Sequence, residues 1–155
     1  MKKPIRIYTD TSVFGGVFDT EFALHSEAFF QRMHRAEFEV VISPLVVQEM
    51  REAPERVREF FEEFRPMLSF VRVSDEAYAL QSAYLKAGVV GNNSEMDALH
   101  VSVATVAGCK AIVSWNFKHI VNFRRIPLYN GVNESQGYSR IAIHSPAELA
   151  FDGKD

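Results

Sequence analysis

The run Ile5-Arg6-Ile7-Tyr8-Thr9-Asp10-Thr11-Ser12-Val13-Phe14 decides the reading of this chain. A short β-prone segment ends in a carboxylate followed by two hydroxyls. In an open parallel α/β sheet, ligands bind beyond the carboxyl ends of the strands, at the point where strand order reverses. An Asp closing a first, central strand is therefore well placed for chemistry. The same residues also serve a purely local end, because Asp, Thr and Ser side chains bond their own backbone at turns. Further acids elsewhere in the chain decide between these readings.

Outward from Asp10, Gly15 and Gly16 loosen the backbone ahead of a predicted helix over residues 21–36. Its Phe22, Phe29, Phe30 and Met33 recur at helical spacing and mark a core-facing side. Residues 38–42 form a second short apolar run, suited to a buried parallel strand. Ser43-Pro44 reads as an N-cap with proline at the first helical position, opening a helix through Met50. A charged helix is expected over 54–65, a third strand over 70–73, and a helix over 75–87 capped by Ser74 and ended by Gly88. After the loop 91–94 comes an apolar helix, 95–107, buried in the middle of the fold. Residues 111–114 give a fourth strand, ending in Trp115-Asn116. A short helix over 118–123, an Asn- and Gly-rich loop over 127–138, an edge strand over 141–143 and a helical turn at Ser145-Pro146-Ala147-Glu148 complete the reading. Strands alternating with helices predict an α/β fold, a central and mostly parallel sheet with helices on both faces. With no repeat or linker, residues 1–155 read as a single domain.

Composition bounds the function. Hydrophobic residues make up 47% and charged residues 24% of 155, ordinary for a globular protein. The net charge of −3 argues against sequence-blind attraction to duplex DNA, although a few cations can still hold one phosphate. The single cysteine, Cys109, lies in an apolar stretch and reads as a small core residue. No apolar run approaches the roughly 20 residues that span a bilayer. The charged start, Met1-Lys2-Lys3-Pro4, has no leader-like apolar region, and the expected location is the cytoplasm.

The polar exceptions in apolar surroundings are Asp10, Glu49, Asp97 and Asn116. If strands one and four are neighbours, all four gather at one end of the sheet. Each also has a plainer use. Glu49 can face water from a helix flank, Ser94-x-x-Asp97 has the spacing of a capping box, and Glu95 suits an exposed first turn. Crowded carboxylates raise one another's pKa unless a cation sits among them. Hard oxygen donors without a cysteine or a histidine pair suit Mg²⁺ or Mn²⁺. Metal-assisted phosphodiester hydrolysis is the reaction class this donor set suggests, and a small-molecule phosphatase uses the same acids.

Asp10-Thr11-Ser12, then Glu49, then Asp97-Ala98-Leu99-His100, then Ser114-Trp115-Asn116-Phe117-Lys118-His119 resembles the PIN-domain ribonucleases, including VapC-type toxins. The tail, from Asn130-Gly131 to Ala147-Glu148-Leu149, is similar to a stand-alone bacterial PIN subgroup. The resemblance implies an α/β/α sandwich with strand order near 3-2-1-4-5 and Mg²⁺ or Mn²⁺ in an acidic pocket. It implies Asp10, Glu49 and Asp97 as metal-site acids, with Ser12, His100 and Ser114 supporting them. Asn116 stands where the family commonly has a fourth acid. The function so implied is a metal-dependent endoribonuclease, active as a homodimer and, as a toxin, held by a small antitoxin protein. In that role Asn116 lends a weaker carbonyl, Lys118, Arg124 and Arg125 contact RNA phosphates, and Trp115 stacks on a base. The alternative supported by Asn116 is a catalytically weakened PIN-like module that binds RNA or protein.

Overall fold

Among the described residues, five short parallel strands carry the fold, and their side-chain alternation divides the core in two. The computed structural model describes residues 4–149; the charged start, residues 1–3, and residues 150–155 lie outside the description. Strands β1 (Arg6–Thr9), β2 (Glu39–Ile42), β3 (Ser69–Phe70), β4 (Ala111–Val113) and β5 (Ala142–His144) form one sheet in the order β3-β2-β1-β4-β5. Ile7 pairs with Val40 and with Ala111, and Tyr8 with Val41 and with Ile112. Successive side chains of a strand point to opposite faces. Ile7, Val40, Ile42, Ala111 and Val113 accordingly face one apolar cluster, and Tyr8, Val41, Ile112 and Ile143 face the other.

Among the described residues, eight α-helices cover these faces: α1 (Thr11–Gly16), α2 (Ala23–His34), α3 (Pro44–Met50), α4 (Glu55–Phe64), α5 (Asp75–Lys86), α6 (Glu95–Val106), α7 (Arg125–Ser135) and α8 (Pro146–Leu149). Helices α1, α2 and α4 supply the first cluster with Phe14, Phe29, Phe30 and Phe61, which meet edge-on or tilted. Such ring pairs add about 0.5–1.5 kcal/mol beyond burial. Helices α5, α6 and α7 supply the second with Leu80, Tyr84, Leu99, Val103 and Tyr129. The result is the three-layer α/β sandwich that the alternation of elements predicts. From β1 the chain builds outward to β3, then crosses back to place β4 on the other side of β1. The reversal of order therefore falls between β1 and β4, beyond Thr9 and Val113.

The structure corrects the sequence reading in five places. Residues 11–16 are helical, not a loosened loop: the Asp10 carboxylate caps α1 by accepting from the Ser12 amide at 3.2 Å. Gly16 is needed for closeness, since a Cβ there would lie 2.5 Å from Ser26 Oγ and 2.6 Å from Trp115 Nε1. The third strand is residues 69–70 rather than 70–73, although Val71 still donates to Ile42 O at 3.0 Å. Residues 118–123 are turns, not a helix. Ser94 makes no side-chain cap to α6, so its spacing to Asp97 is not a capping box here.

The largest correction is α7, which occupies most of the segment read as an Asn- and Gly-rich loop. Pro127 falls in its first turn, where a missing N–H costs nothing. Asn130 and Asn133 are buried and fully used, so they do not act as turn formers. Asn130 accepts from Ile141 N at 2.7 Å and donates to Ile141 O at 3.0 Å. Asn133 accepts from the Tyr84 hydroxyl at 2.5 Å. Together they tie α7 to α5 and to the chain entering β5.

Candidate functional site

Asp10 is nine-tenths buried at the β1–β4 reversal, held by one hydroxyl from the first turn of α1 and one from just past β4. Ser12 Oγ donates to Asp10 Oδ1 at 2.6 Å, and Ser114 Oγ donates to Asp10 Oδ2 at 2.7 Å. Each hydroxyl also accepts a backbone N–H, Ser12 from Trp115 and Ser114 from Asn116, both at 2.9 Å. The carboxylate thus pins the start of α1 to the end of β4. Burial pushes the Asp10 pKa above the ordinary carboxylate value, opposed by the charge of His100 and by the two serine hydroxyls.

Glu49, on the last turn of α3, is half-buried. Thr11 Oγ1 donates to its Oε1 at 2.5 Å, and His100 Nε2 lies 3.1 Å from both of its oxygens. Burial alone would raise the Glu49 pKa; the hydrogen bonds of His100 and Thr11 and the imidazole charge outweigh it, and the pKa is lowered. His100 is buried on α6, and its Nδ1 lies 2.7 Å from the Tyr8 hydroxyl, itself 2.8 Å from Ser43 Oγ. Burial would lower the His100 pKa, but Glu49, Asp10 and Asp97 together raise it above the ordinary imidazole value. All three acids therefore bear on one buried imidazole. Burial also pushes the Tyr8 phenol far up, keeping it neutral in this chain.

Asp97, in the first turn of α6, meets a different partner. His119 Nδ1 lies 3.2 Å from Asp97 Oδ2. His119 is fixed by its backbone: its N–H donates to Asn116 Oδ1 at 2.9 Å, and its carbonyl accepts from the Tyr129 hydroxyl at 2.8 Å. Asn116 Oδ1 also accepts from Lys118 N at 3.1 Å. The amide at the end of β4 therefore caps the turn that carries His119.

Residues 7–120 match the PIN domain family. This chain belongs to the PIN domain family. A solved structure, that of VapBC2 from Rickettsia felis bound to a DNA fragment from their promoter, superposes with a TM-score of 0.57 at 14% sequence identity. The match covers 91% of this chain and 98% of that one, and it is a likeness of fold. No curated protein matches the sequence.

This PIN domain brings Asp10, Glu49 and Asp97 to one end of the sheet, as their order along the chain suggests. A divalent cation requires their oxygens to be shared at one point. Both oxygens of Asp10 and both of Glu49 instead face protein donors, and Oδ2 of Asp97 lies against the His119 ring. Among the described residues, no group of three or more His, Cys, Asp or Glu could hold a metal ion. The donor set as arranged does not fit Mg²⁺ or Mn²⁺.

Asn116 reaches none of the acids with its amide oxygen, which the 116–119 turn consumes. Trp115 is packed: 9% exposed, it stacks on Phe22 at 4.2 Å and donates to Ser26 Oγ at 2.8 Å. Its indole is core and is not a face offered to a base. Arg125 donates to Lys118 O at 2.9 Å and to Val89 O at 2.6 Å, tying the start of α7 to neighbouring loops. Lys118 and Arg124 are exposed, beside Phe117 and the 92%-exposed Phe123. The sequence reading missed Thr11, Tyr8, Ser43 and His119. Thr11, inside the Asp10-Thr11-Ser12 motif, and His119, closing the Ser-Trp-Asn-Phe-Lys-His motif, carried a signal without an assigned role.

Proposed function

We propose that this chain is a catalytically weakened PIN-domain module that binds RNA through the loop between β4 and α7. The observation that carries the reading is that each acid lies against its own protein partners, with Asn116 spent on a turn. With no three of these groups placed to hold one ion among the described residues, metal-assisted hydrolysis starts at a disadvantage. The exposed Phe117 and Phe123 beside Lys118 and Arg124 support RNA as the ligand. Aromatic faces stack on unpaired bases and cations meet phosphates, without need of a strongly basic chain.

A second reading, the metal-dependent endoribonuclease, is favoured by Asp10. A buried acid oriented by two hydroxyls, with its pKa raised by burial, is an anion that a cation would stabilise. The likeness to a VapBC2 complex supports a third element, a protein partner of the antitoxin kind. The test is one labelled RNA, single-stranded and hairpin, incubated with the purified chain in Mn²⁺, Mg²⁺ or EDTA. Binding without metal and cleavage no faster in Mn²⁺ than in EDTA are expected. Phe123→Ala should weaken binding by about tenfold, the scale of one lost base stack. Mn²⁺-dependent cleavage that Asp10→Asn abolishes would establish the ribonuclease instead. Absence of RNA binding would favour the protein partner.

A further inference from the structure

Resting on the reading of a weakened PIN domain, the geometry points to His119 as a clasp that keeps Asp97 out of a shared metal site, with Asn116 as the residue that positions the clasp. Five contacts build it. The imidazole Nδ1 lies 3.2 Å from Asp97 Oδ2, within ion-pair distance. Asn116 Oδ1 accepts the His119 N–H at 2.9 Å and the Lys118 N–H at 3.1 Å, closing a tight turn at the end of β4. Asn116 N donates in turn to Ser114 Oγ at 2.9 Å, the hydroxyl that holds Asp10. The Tyr129 hydroxyl, fully buried on α7, grips the His119 carbonyl at 2.8 Å. The neighbouring Ile120 is wholly buried, so the turn cannot swing away cheaply.

The asymmetry among the acids gives the clasp its meaning. Asp10 is held by two hydroxyls, Ser12 at the start of α1 and Ser114 just past β4. Glu49 is held by Thr11 and by an imidazole sunk in the core. Asp97 alone is held by a residue of the partly exposed 116–124 loop, its side chain 28% exposed and that of His119 25%. Breaking this one contact lets the Asp97 carboxylate turn at the edge of the site without disturbing the core. Asn116 at the position of a fourth acid is then more than a missing ligand, because its amide oxygen builds the turn that engages the third.

The test uses Mn²⁺ alone as probe, with the full chain and its His119→Ala and His119→Phe variants. Phe keeps the bulk of the ring but has no ring nitrogen to meet the carboxylate. The readouts are loss of the free Mn²⁺ paramagnetic resonance signal on titration and the Mn²⁺-dependent shift in melting temperature. Both variants are expected to bind Mn²⁺ at least about tenfold tighter than the natural chain, a change of roughly 1.4 kcal/mol. Adding Asp97→Asn to either should return it to the natural affinity. Asn116→Ala, which removes the acceptor but leaves the imidazole, should give a gain of the same sign, again lost with Asp97→Asn. Unchanged Mn²⁺ affinity in the folded His119→Phe protein overturns the inference, as does a gain that survives Asp97→Asn. Tight Mn²⁺ binding by the natural chain would instead overturn the weakened-site reading on which the clasp rests.

Discussion

At the scale of single residues, the site is an exchange of hydrogen bonds for charge. Asn116 has nearly the shape of an aspartate, and both of the N–H groups that it caps would be accepted equally well by a carboxylate. Asn116→Asp should therefore keep the turn, add one negative charge beside Ser114, and lower the Mn²⁺ concentration giving half-maximal binding by about tenfold. Superimposable Mn²⁺ titrations of the two proteins would show that charge at this position does not limit binding. His100 makes a second prediction, through pH. Its folded pKa is raised, so its contribution to stability is complete below the unfolded value of about 6.5 and is lost as pH rises through the folded value. The melting temperature of the natural chain should consequently fall between neutral and mildly alkaline pH, and His100→Gln should flatten that slope. Glu49 works in the opposite sense. Its lowered pKa contributes stability that is present above the ordinary carboxylate value and disappears as pH falls through the folded one. A slope unchanged by His100→Gln between neutral and alkaline pH would contradict the pairing.

At the scale of elements, what could be read depended on whether local chemistry and tertiary use agreed. The Ser43-Pro44 start of α3 and the Ser74 cap of α5 were legible because each side chain does in the fold what it does in a peptide, accepting from Leu45 N and from Ala77 N, both at 3.2 Å. Helix α7 was illegible because Asn130 and Asn133 serve as buried clamps, against their usual place at turns. Asn130→Ala strips partners from both the N–H and the carbonyl of Ile141, and it should cost about 2–5 kcal/mol. Urea unfolding checks this, and a loss under about 0.5 kcal/mol would mean that water replaces the amide. Helix α1 escaped for a different reason. Its two glycines suggest a loop, yet Gly16 is there for the contact of α1 with Ser26 and Trp115. Gly16→Ala should push the indole off the Ser26 hydroxyl, shift the emission of the single Trp and destabilise the fold by roughly 1–3 kcal/mol. Unchanged emission and stability would mean that the packing yields at no cost.

At the scale of the molecule, the order β3-β2-β1-β4-β5 puts the ends of β1 and β4 side by side, and that topology was readable from alternating strands and helices together with the family resemblance. The gathering of Asp10, Glu49 and Asp97 at one sheet end was readable for the same reason. Their pairing was not, since periodicity says which end of the sheet a residue occupies and nothing about the donor its oxygens meet. Thr11, Tyr8 and Ser43 belong to elements read for other purposes, and His119 lies in turns taken for a helix. The central claim is that the acids are satisfied within the protein and do not share a cation. It is tested most directly by titrating the natural chain with Mn²⁺ and following the free-ion resonance signal. The account predicts a Kd of about 1 mM or weaker, with no change on Asp10→Asn. Binding at about 10 µM or tighter, lost in Asp10→Asn, would contradict it.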